Sequence, residues 1–72
     1  MPDTITPKQL AYIRVLISDT GIGNPEYLGA WARPWLSMRE TGVGRLSNLT
    51  FSAATKLIDG LKAKKAEADS EQ

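Results

Sequence analysis

One stretch, residues 46–65, decides most of what this chain can become. Thr50 stands where a side-chain oxygen accepts from an orphaned backbone N–H in the first turn of a helix. Behind it Ala54, Leu57, Ile58 and Leu61 recur at i, i+3, i+4 and i+7, which draws one apolar stripe along a helix from about Phe51 to Ala66. Lys56, Lys62, Lys64 and Lys65 fall mostly off that stripe. In a chain of 72 residues the stripe has only the rest of the chain to pack against, so the fold has to be built around this helix. Gly60 interrupts it at a cost of about 1 kcal/mol relative to Ala, and a close backbone approach is the simplest reason for it.

The N-terminal third carries the clearest local grammar. Thr6-Pro7-Lys8-Gln9 places a capping residue, a proline at the first helical position and a capping-box partner in order. Ile5 is set to act as a staple on Leu10. The helix is predicted to run to Ser18 or Asp19 with Leu10, Ile13, Leu16 and Ile17 buried and Ala11 and Val15 at the margin. Gly21 and Gly23 then stop it. Asn24-Pro25-Glu26 repeats the start signal and predicts a second helix through Tyr27, Leu28, Ala30 and Trp31 to Arg33. Pro34 should kink or break it, giving one bent helix or two short ones over residues 25–33 and 34–40. Gly42 and Gly44 end the middle region, and Arg45 to Asn48 carry Leu46 into the core. No strand-like alternation occurs. The expected architecture is all-α: a compact three- to four-helix domain over residues 6–66 with a Pro-kinked middle helix. Residues 1–5 are expected to be flexible and 67–72 to form a disordered acidic tail.

Composition removes several functions. With no Cys and no His there is no disulfide, thiolate nucleophile, His-based triad or usual zinc ligand set. The acids are scattered, and the two Gly-x-Gly pairs neither follow a strand nor complete a phosphate-binding fingerprint. A non-enzymatic protein without cofactor or metal is expected. No apolar run approaches the ~20 residues of a bilayer span and no signal peptide precedes the first helix, so the expectation is a soluble cytoplasmic protein with no membrane partner.

Charge leaves more room. All nine basic residues lie between positions 8 and 65, where only four acids accompany them, so the body holds an excess of five positive charges. The other four acids sit at the two ends. That segregation suits a polyanionic partner and equally suits a solvated surface. Tyr27, Trp31 and Trp35 are four residues apart and would share a face if the helix survived Pro34, with Arg33 and Arg39 nearby and Arg14 able to approach from the first helix. A domain this small needs Tyr27 and Trp31 mainly for its core, which leaves Trp35 as the aromatic expected outside.

Two pieces of the chain carry a resemblance. Ile5-Thr6-Pro7-Lys8-Gln9 leads to Leu10, Ile13, Leu16 and Gly21, and Leu46-Ser47-Asn48-Leu49-Thr50 leads to Ala54, Leu57, Ile58, Asp59 and Leu61. Together they resemble the small helical module of phage and prophage accessory proteins, similar to the C-terminal region of some phage single-strand annealing and recombination proteins. Phe51, Ser52 and Ala53 depart from that pattern, where charged residues would be expected, and so does the Trp31-Ala32-Arg33-Pro34-Trp35 insert. The resemblance implies an accessory role beside DNA, by analogy.

Two functions remain open. In the first the domain binds single- or double-stranded DNA, with Arg33, Arg39, Arg45, Lys62, Lys64 and Lys65 on phosphates and Trp35 stacking on bases. In the second it docks on a host or phage protein through an apolar patch of Trp35, Leu36 and Met38. The long Gly-rich connection before the last helix argues against a helix-turn-helix.

Overall fold

The computed structural model describes residues 4–70. It contains three α-helices, α1 (Pro7–Thr20), α2 (Met38–Thr41) and α3 (Phe51–Ser70), with single 3-10 turns at Ala30–Ala32 and Leu46–Asn48. Among the described residues there is no strand, only two isolated antiparallel bridges, so the domain is all-α.

α1 starts as its sequence predicts. The Thr6 hydroxyl accepts from the Gln9 N–H at 3.1 Å, and the Thr6 N–H donates to the Gln9 side chain at 3.0 Å, closing a capping box. Gly21 caps the other end, its N–H donating to the Ile17 carbonyl at 2.8 Å. At α3 the Thr50 hydroxyl accepts from the Ala53 N–H at 3.1 Å.

The two long helices lie side by side and parallel. Gln9 near the start of α1 donates to the Thr55 hydroxyl, and Asp19 near its end accepts from Lys65, each pair 46 residues apart in sequence. A constant offset at both ends means a common direction. Residues 21–49 therefore have to carry the chain back along one side of the pair. They do so as a mostly irregular segment that buries Ala32, Leu36, Leu46 and Leu49 in one cluster with the two helices. With Ile13, Leu16 and Ile17 of α1 and Ala53, Ala54, Leu57, Ile58 and Leu61 of α3 these form the core. No polar or charged residue is buried in it. Val15 and Ala11, at the margin of the α1 stripe, are exposed.

The middle region departs from the expected kinked helix. Asn24 does accept from the N–H groups of Glu26 and Tyr27, at 2.8 and 3.1 Å, as a capping residue would. The same bonds close an Asx turn, and no α-helix follows. A helix trapped between Gly23 and Pro34 would have been too short to hold without tertiary support. The backbone pairs instead with residues 44–46: Leu28 N–H to Gly44 O at 2.8 Å and Leu46 N–H to Glu26 O at 3.2 Å. Past the proline, α2 starts from a second capping box, with Ser37 and Glu40 bonding reciprocally at 3.2 and 2.9 Å.

Both chain ends carry backbone contacts or helix where they are described. Thr4 bridges to Thr50 and the Ile5 N–H donates to Leu49 O at 2.9 Å. α3 continues through Ser70, four residues beyond the end read from its pattern. The flexibility expected of residues 1–3 and the disorder expected of 71 and 72 fall outside the described residues. No helix among the described residues is long and apolar enough to cross a membrane.

Candidate nucleic-acid interface

The irregular segment gathers side chains that lie far apart in sequence. The Tyr27–Arg45 bridge brings Arg45 over the Tyr27 ring, its guanidinium carbon 5.6 Å from the ring centroid. From α1, Arg14 donates its Nε–H to the Pro25 carbonyl at 3.3 Å, which turns its guanidinium toward the same place. Arg14, Glu26, Tyr27, Arg45, Leu46 and Ser47 together line a cleft of about 200 Å³. Tyr27 is 47% exposed there, which corrects the expectation that it serves the core.

Trp31 braces the segment that carries Tyr27. Its indole lies against Gly23, where an added Cβ would stand 2.6 Å from the ring, and its Nε1–H donates to the Tyr27 carbonyl at 3.3 Å. Trp31 is thus half-buried and structural, much as its sequence context predicts. The arrangement places one exposed aromatic beside two guanidinium groups, with a hydroxyl and a carboxylate at hand. Guanidinium donors suit phosphate oxygens, and an aromatic or a guanidinium plane suits a base.

The other residues expected to contact nucleic acid do not assemble there. Trp35 is half-buried with its indole across the backbone of Gly60, so it is no free stacking platform. Arg33 is exposed and makes no ion pair among the described residues. Arg39 lines a separate groove with Glu40, Val43, Leu49, Thr50 and Ala53, about 170 Å³ and mostly apolar. Lys65 pairs with Asp19 at 3.0 Å and Lys64 with Glu67 at 3.4 Å, while Lys62 is exposed and makes no ion pair among the described residues. The hydrogen bond to Asp19, reinforced by its charge, raises the Lys65 pKa above the ordinary lysine value. These lysines do not complement the end of the helix dipole either, since α3 runs past them and its last turn holds no basic residue.

The three residues of the expected apolar patch separate. Leu36 is 3% exposed and belongs to the core, Trp35 covers Gly60, and Met38 on α2 is 70% exposed. Among the described residues no three carboxylates gather to hold a cation. Compared with protein-family models, with curated proteins and with solved structures, the chain matches none.

Proposed function

We propose that the chain is a small non-enzymatic accessory module of the phage type that binds nucleic acid, with its principal contacts in the Arg14–Tyr27–Arg45 cleft. What supports this is the gathering of two guanidinium groups and one exposed aromatic ring in a single cleft, drawn from three separate parts of the chain. Lys62 and Arg33, which pair with no acid among the described residues, add positive charge on the surface, and the ion pairs of Lys64 and Lys65 are exposed ones that a phosphate can displace at little cost.

The test is an anisotropy titration of labelled single- and double-stranded oligonucleotides at low and moderate salt. Affinity should fall as salt rises, because phosphate contacts release counterions. Arg14→Ala and Arg45→Ala should each weaken binding and lower the salt slope by about one. No binding at tens of micromolar protein in low salt would sink the reading.

Docking on a host or phage protein is the second reading, and it draws support from a different place. The apolar groove beside α2, with Val43 exposed at its wall and Met38 exposed on the same helix, offers a surface for an apolar side chain. That reading predicts capture of a partner with little salt dependence, lost on Val43→Asp or Met38→Asp.

A further inference from the structure

We infer that the Arg14–Tyr27–Arg45 cleft takes a single unpaired nucleotide and that Glu26 selects guanine for it. This rests on the nucleic-acid reading above and goes on to name what the site recognises. The cleft, at about 200 Å³, is smaller than the roughly 300–1,000 Å³ of pockets that enclose a whole organic ligand. One base with its phosphate is the scale that fits.

Its chemistry is two-sided. Arg14 and Arg45 offer only donors, whereas the Glu26 carboxylate offers only acceptors. Glu26 lines the same cleft as both arginines, yet its side chain makes no ion pair or hydrogen bond among the described residues. A site built for phosphate alone gains nothing from a carboxylate, which repels the ligand. A ligand that is anionic at one end and carries adjacent donors at the other uses every wall.

Among the bases, guanine has that edge. Its N1–H and N2–H₂ stand side by side and match the two oxygens of a carboxylate. Thymine would turn carbonyl oxygens toward Glu26 on either side of its one N–H, and cytosine and adenine bring a single amino group. In a duplex the guanine edge is engaged by its partner, so the site can read it only in an unpaired strand. The Arg45 guanidinium, which lies over the Tyr27 ring, and the exposed ring itself each offer a plane on which that base can stack.

The experiment compares the full chain's affinity for a short labelled oligothymidine with that for the same strand carrying one central dG. The inference predicts about tenfold tighter binding from the single dG, the order expected of one bidentate contact to a base. Annealing that strand to its complement should remove the gain, and inosine, which lacks the N2 amine, should lose most of it. Glu26→Ala, at an exposed position whose side chain makes no hydrogen bond or ion pair among the described residues, should make the two strands bind equally. Equal binding of the two strands by the unaltered chain would overturn the inference and leave the nucleic-acid reading standing. So would a dG preference that survives Glu26→Ala. Failure to bind either strand in low salt would overturn both.

Discussion

At position 60 a methyl group would stand 2.4 Å from Cγ of Trp35, with two further ring atoms at 2.5 Å. Those atoms are the root of a half-buried indole and not the tip of a flexible side chain, so they cannot step aside without moving the middle segment. Gly→Ala inside a helix ordinarily stabilises by about 1 kcal/mol. Here the sign should reverse: Gly60→Ala should destabilise by about 1–3 kcal/mol, the usual cost of overpacking. Urea denaturation measures it, and a red shift of Trp emission would report the displaced indole. The need for Gly60 is legible in the sequence as a helix defect for which a close approach is the simplest reason. The identity of the approaching group was not, because Trp35 sits 25 positions away in a segment without helical periodicity. Trp35 was therefore expected outside, although it is the residue that makes Gly60 necessary.

Among the elements, the long helices were legible because their ends and stripes agree. Thr6-Pro7-Lys8-Gln9 and Thr50 cap where expected, and the residues at helical spacing behind them are the buried ones. The middle was misread at Asn24, whose side chain satisfies the same two N–H groups whether a helix follows or only a turn. Ser37-Met38-Arg39-Glu40, three residues past Pro34, is the capping-box pattern in this region that does open a helix. That box makes α2 sensitive to acid. The Glu40 carboxylate accepts from the Ser37 N–H and also meets Lys56 at 3.3 Å, and these contacts, the backbone bond foremost, hold its pKa below the ordinary 4.5. A depressed carboxylate stabilises the fold above its unfolded value, and the contribution is lost as pH falls through the folded one. Denaturation midpoints measured from neutral pH to below pH 4.5 should therefore decline in acid. Glu40→Gln keeps a capping-box partner but removes the titration, so it should flatten part of that decline. An unchanged acid limb in the variant would show that α2 is held by other means.

On the scale of the whole molecule, two parallel helices joined by a return segment leave that segment to shape the surface. The candidate site is made where residues 26–28 and 44–46 pair and α1 lends Arg14. Charge segregation and the approach of Arg14 to the aromatic region were readable in advance. The cleft was not, since it depends on an 18-residue pairing that no local pattern announces, and it replaces Trp35 and the α3 lysines with Tyr27 and Arg45 as the centre of the proposed contacts. The function proposed for this chain rests on nucleic acid lying in that cleft. The most direct test is to follow the backbone amide resonances of isotopically labelled protein while a short single-stranded oligonucleotide is added in low salt. Binding in the cleft predicts the largest shifts at Arg14, Tyr27, Arg45 and Ser47, with Met38, Val43 and Ala53 nearly still. Shifts centred on the groove beside α2, or no shifts at all, would contradict it.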